Sequence, residues 1–116
     1  MSTGTDGAPR KRCKPCEGGM LPLAAAAIER ELSQLEAGWH LMADGTAIMR
    51  EFHFRDFYRT MSFVNAVAHS ANIENHHPDL EVGYDVCRVR YTTHAIGGLS
   101  ENDFICAAQV DAIPTS

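Results

Sequence analysis

No apolar run in this 116-residue sequence approaches the ~20 residues that a membrane-spanning helix requires. Basic charge is also scarce: 10 Lys and Arg stand against 15 Asp and Glu, giving a net charge of −5 and a pI near 5.6. That balance argues against a nucleic-acid partner, because neutralising phosphates needs a basic face. The first residues are polar and then basic, without the apolar stretch of a secretory leader. A cytoplasmic protein with reduced thiols is therefore expected. Cysteine occurs 4 times, yet Cys13-Lys14-Pro15-Cys16 has no second pair at matching spacing, and Cys87 and Cys106 stand alone. A lone CxxC is weak evidence for zinc or redox chemistry, and a contact with the folded domain explains it as well. No internal repeat is visible.

What the sequence does contain is enough for one core-forming domain. Its 45% hydrophobic residues can bury a core without a disulfide or metal staple. Residues 1–19 are rich in Gly, Ser, Thr and Pro and carry Arg10, Lys11, Arg12 and Lys14, the composition of a flexible tail. Residues 20–116 form the domain.

Hydrophobic periodicity divides that domain into seven elements. Pro22, the Ala24 to Ala27 run and the stripe Ile28, Leu32, Leu35 predict a helix over 22–36, with Gly38 as its stop. A strand over 39–42, an Asp44-Gly45 turn and a strand over 47–54 follow, with Ile48, Arg50, Phe52 and Phe54 on the buried face. Asp56 can cap a helix over 57–73, whose stripe Phe57, Met61, Val64, Ala68, Ala71 faces inward. Leu80, Val82 and Tyr84 alternate as a third strand, and Cys87, Val89 and Tyr91 as the buried face of a fourth. Ser100-Glu101-Asn102-Asp103 matches a capping box opening a last helix that Pro114 ends. The order αββαββα with short hairpins predicts an α+β sandwich: a four-stranded antiparallel sheet with three helices on one face. Its sheet edges invite a second copy, so a homo-oligomer is expected.

The chemistry concentrates in Asn72-Ile73-Glu74-Asn75-His76-His77-Pro78-Asp79, read with Thr93-His94 and Asp103. Histidine can give and take protons near neutral pH, so three imidazoles and a carboxylate point to acid–base work on a small molecule. In a regular strand His76 and His77 would face opposite ways. A common pocket therefore needs an irregular corner, which Pro78 favours by excluding the helical conformation at His77. Two other readings remain: a zinc site, for which adjacent histidines are poor ligands, and histidines that merely bridge loop carbonyls. Asp103 doubles as the capping-box acid and could orient His94.

These residues resemble the pterin-4a-carbinolamine dehydratases. His76-His77-Pro78, five residues, Tyr84, nine residues, His94 and then Asp103 in a Gly-Gly-Leu-Ser-Glu-Asn-Asp context follow that family's signature, and residues 47–57 are similar to its second strand and helix start. The resemblance spans about residues 21–113. It implies dehydration of 4a-hydroxytetrahydrobiopterin to quinonoid dihydropterin in tetrahydrobiopterin recycling, with no cofactor or metal. It also implies a dimer or tetramer, His76, His77, His94 and Asp103 as catalytic residues, and Thr92, Thr93, Pro78 and Asn72 around the pterin. One position departs: the family usually has Glu where this chain has Asn72, which cannot carry the charge that raises a neighbouring histidine's pKa. The family also includes dehydratase-like proteins linked to carboxysomes that act as RuBisCO assembly factors, so a RuBisCO client is the alternative partner.

Overall fold

The computed structural model describes residues 12–15 and 20–115. Helix α1 (Ala25–Leu32), strands β1 (His40–Leu41) and β2 (Ile48–His53), helix α2 (Phe57–Glu74), strands β3 (Asp79–Val82) and β4 (Val86–Tyr91) and helix α3 (Glu101–Asp111) follow in that order. A short 3-10 turn, His94–Ile96, separates β4 from α3. The sheet runs β1-β2-β4-β3, antiparallel throughout, so the expected α+β architecture is the one observed.

Strand alternation sets the layers. Ile48 and Phe52 from β2 and Cys87, Val89 and Tyr91 from β4 are buried on one face. On that face they meet Ile28 of α1, Phe63 and Val67 of α2, and Phe104, Cys106, Ala107 and Val110 of α3 in one core. Arg88 and Arg90 point to the other face and pair with Glu51, Glu81 and Asp79. Such exposed pairs add little stability but keep that face polar.

Helix α2 begins where Asp56 accepts from the Arg59 backbone N–H at 2.9 Å. Its buried side, however, is Thr60, Phe63, Val67 and Ala71, one residue earlier than the expected stripe at three of its positions. Phe57 is 48% exposed, and Ala68 is also at the surface. The larger pair Phe63 and Val67 takes the core in place of Val64 and Ala68. Phe63 packs on Phe52 and Phe54 with ring centroids 4.6 and 5.1 Å away. Thr60 tolerates complete burial because its hydroxyl donates to the Asp56 and Tyr84 carbonyls at 3.0 and 2.9 Å.

Other differences are local. α1 is shorter than 22–36, and Gly38 (φ 113°) turns the chain into Trp39 rather than stopping the helix. β3 ends at Val82, since Gly83 N–H donates to the Val86 carbonyl and closes the hairpin there. Val82 and Tyr84 are consequently exposed, with Tyr84 stacked on Phe57. Arg50 lies on the inner face with its guanidinium 4.3 Å above the Phe52 ring.

Asp111, at the end of α3, ties these pieces together. Its carboxylate accepts from Arg50 Nη1 at 2.6 Å, Trp39 Nε1 at 2.9 Å and the Glu36 N–H at 3.1 Å. Asp111→Ala strands a half-buried cation and a buried indole N–H. It should cost about 1–3 kcal/mol in urea unfolding followed by Trp39 fluorescence. A loss below ~0.5 kcal/mol, as for an ordinary surface site, would show that the α3 end does not depend on it.

Candidate active site

The corner after α2 is made by Asn75, whose left-handed backbone (φ 54°, ψ 40°) caps the helix. The His76 N–H still bonds back to the Ala71 carbonyl. The chain thus reverses at Asn75 before Pro78 carries it into β3. β4, the strand paired with β3, ends beside that corner at Tyr91, and Thr92, Thr93 and the 3-10 turn bring His94 to the same end of the molecule. The Thr93 and Gly98 backbones pair across that loop.

These two corners enclose one cavity of about 530 Å³, lined among others by His76, His77, Thr92, Thr93 and His94. Its volume falls in the ~300–1,000 Å³ typical of small-molecule sites. Asn72 and Pro78 do not line it. Asn72 stands behind His77, accepting from its Nε2 at 3.1 Å. Thr92 Oγ donates to the Thr46 carbonyl at 2.5 Å.

His76 is the most fixed of the three rings. Its Nε2 meets Asp103 Oδ1 at 2.7 Å, and its ring lies parallel to Tyr91, 6° between planes and 6.0 Å between centroids. Asp103 is fully buried, and its Oδ2 accepts from Thr93 Oγ at 2.7 Å and from the Ser100 N–H at 2.9 Å. A carboxylate has no proton to give, so the Thr93 hydroxyl must donate to it, and the Ser100 hydroxyl, 2.7 Å from Thr93 Oγ, must in turn donate to Thr93. By the same rule His76 carries its proton on Nε2, leaving Nδ1 as the basic ring atom. The capping box that starts α3 is therefore also the mount for His76.

One sequence expectation needs correcting: Asp103 meets His76, not His94. The 3-10 turn directs His94 outward, where it is exposed, while the Asn75 corner folds His76 inward onto α3. Among the described residues no three His, Cys, Asp or Glu side chains converge as metal ligands.

Sequence reasoning missed the other wall of the cavity, formed by Cys13, Lys14 and Pro15 with Glu74 and Asn102. Residues 1–11 and 16–19, and with them Cys16 and the rest of the expected tail, lie outside the described residues. Burial opposes the Glu74 charge, but donors from Cys13 N–H, Gln109 and Arg12 outweigh it and hold the carboxyl below the usual range. Burial pushes the Cys13 thiol up to about 11, so at neutral pH it is a protonated packing group rather than a nucleophile. An Asn two residues into α3 and a Glu just before a helix end carry no sequence signal for this role.

Comparison with known proteins agrees with this geometry. Residues 21–113 match the family model described as pterin 4 alpha carbinolamine dehydratase. The chain is 61% identical over 103 residues, 89% of each chain, to a protein of Nitrosomonas eutropha named "putative pterin-4-alpha-carbinolamine dehydratase". It is 54% identical over 113 residues, 97% of each chain, to one of the same name from Nitrosospira multiformis. Among solved structures it superimposes on a transcriptional coactivator/pterin dehydratase from Brucella melitensis with a TM-score of 0.75 and 30% identity, covering 78% of this chain and 96% of that one. A pterin dehydratase-like protein identified as a RuBisCO assembly factor in the alpha-carboxysome shares the fold, with a TM-score of 0.58 and 20% identity, covering 66% of this chain and 89% of that one. With three histidines on one cavity, and family likeness running through both corners that hold them, the chain belongs to the pterin-4-alpha-carbinolamine dehydratase family.

Proposed function

We propose that this protein dehydrates 4a-hydroxytetrahydrobiopterin, or a closely related pterin, to the quinonoid dihydropterin and so serves tetrahydrobiopterin recycling. The observation that carries the reading is the convergence of His76, His77 and His94 on one cavity, with His76 backed by a buried carboxylate. The family supplies the substrate class. In the reaction N5 loses a proton, its electron pair forms the C4a–N5 double bond, the C4a–O bond breaks, and the hydroxyl leaves as water after gaining a proton. No electron leaves the pterin, so the elimination needs neither a redox cofactor nor a metal.

His76 suits the base. Nδ1 can take the N5 proton, while Asp103 on Nε2 holds the ring in the orientation and tautomer that this needs. His94, exposed at the cavity edge, suits the acid that protonates the leaving hydroxyl. His77 holds the ring or carries the proton in its place. Thr92 and Thr93 line the pterin's polar edge, Thr93 with its hydroxyl committed to Asp103, while Asn72 and Pro78 shape the His77 side. Each proton transfer is worth about 10²–10⁴ in rate. A RuBisCO client, with the carboxysome location it would bring, has only a fold likeness behind it and is not favoured. We place the protein in the cytoplasm, paired with further copies through the β1 and β3 edges of the sheet.

His76→Ala and His94→Ala should each lower kcat by at least ~10²-fold in a spectrophotometric dehydratase assay; both chains should fold, with a lower melting temperature only for His76→Ala, which takes a donor from buried Asp103. Near-normal rates in both would remove these rings from the mechanism. Asn72→Glu would put a carboxylate against His77. It should then carry the alkaline limb of the pH–rate profile upward by about one unit if His77 moves a proton; an unmoved profile would leave His77 a binding role alone. Light scattering should return a dimer or tetramer, and a monomer would contradict the edge pairing.

A further inference from the structure

Two buried polar side chains beside the cavity are occupied in holding residues 12–15. The Glu74 side chain, 5% exposed, accepts from the Cys13 N–H at 2.9 Å, from Arg12 Nε at 2.7 Å and from Gln109 Nε2 at 2.9 Å. Asn102, 6% exposed, clasps Lys14 from both sides: its Oδ1 accepts from the Lys14 N–H at 3.0 Å, and its Nδ2 donates to the Lys14 carbonyl at 2.5 Å. The Cys13 thiol fills the space beneath, 3.3 Å from Cys106 Sγ and donating to the Asn102 carbonyl at 3.7 Å.

Ordering an irregular backbone costs conformational entropy at every residue. Here that cost is offset by the hydrogen bonds that two buried side chains, Glu74 and Asn102, make to the segment. Without these residues Glu74 would keep only Gln109 among these three donors, and Asn102 would lose both bonds to Lys14. The held segment also has a destination: Cys13, Lys14 and Pro15 line the same cavity as His76, His77 and His94.

We propose that residues 13–15 are a substrate-binding strap of the pterin site, with Glu74 and Asn102 as the positioning residues that fasten it. The proposal rests on the dehydratase reading above. Among the described residues the strap makes no hydrogen bond to any of the three histidines, so it acts on pterin affinity and not on proton transfer. Its loss raises KM and leaves kcat in place.

The test compares Lys14→Pro with Lys14→Ala in the full chain. Both remove the same ammonium, but only Pro removes the N–H that Asn102 accepts, and neither touches the core. Lys14→Pro should raise KM about three- to tenfold above Lys14→Ala, the effect of one lost hydrogen bond, with kcat matched between the two. Cross-linking Cys13 to Cys106 should then rescue it. Each thiol gives a proton and an electron to diamide, which is reduced to the hydrazine, and peptide mass mapping identifies the bond. The cross-linked Lys14→Pro chain should return to the KM of Lys14→Ala. Equal KM values for the two variants, or a cross-linked chain whose KM stays high, would each overturn the strap. An unsubstituted chain that turns over no pterin would overturn the dehydratase reading instead, and the strap as a pterin-binding element would fall with it.

Discussion

A fully buried carboxylate, Asp103, is the constraint on which the rest of the site depends. Away from water, its oxygens must be met by hydrogen-bond donors, since a buried acceptor left without them would cost about 1–3 kcal/mol. The donors come from three places in the sequence: His76 from the corner after α2, Thr93 from the end of β4, and the Ser100 backbone at the start of α3. Satisfying one side chain thereby fixes the two corners relative to each other. The cavity is the space left between them.

Much of this was legible in the residues. The alternation Cys87, Val89, Tyr91 located the buried face of β4, Asp56 marked the start of α2, and Ser100 with Asp103 announced the capping box. What the pattern could not give was the choice between near-equal packings. On α2 the candidate stripes differ by one residue, and the preference for Phe63 and Val67 depends on Phe52 and Phe54 waiting across the core. Likewise the spacing from His76 to His94 says nothing about which ring meets Asp103, because that is decided by the left-handed Asn75 and the 3-10 turn. The clasp on Lys14 was illegible for another reason: it joins residues 88 apart in the chain, and neither end carries a motif.

The departure at Asn72 takes on a specific meaning in the structure. The side chain occupies the place of a histidine partner, bonded to His77 Nε2, so the orienting hydrogen bond is kept and the charge is not. His76 owes nothing to that position, having its own carboxylate. The two adjacent rings are therefore differently equipped, one beside an acid and one beside an amide.

In the proposed reaction the Asp103 carboxylate equips His76 to take a proton. Asp103→Asn keeps the size of the side chain and its ability to cap α3, and changes only the charge and one acceptor. The direct measurement is kcat for this variant against the unsubstituted chain, with the melting temperature recorded alongside. A fall of about 10²-fold in kcat in a folded protein is expected. A folded Asp103→Asn chain that dehydrates pterin at the original rate would contradict it.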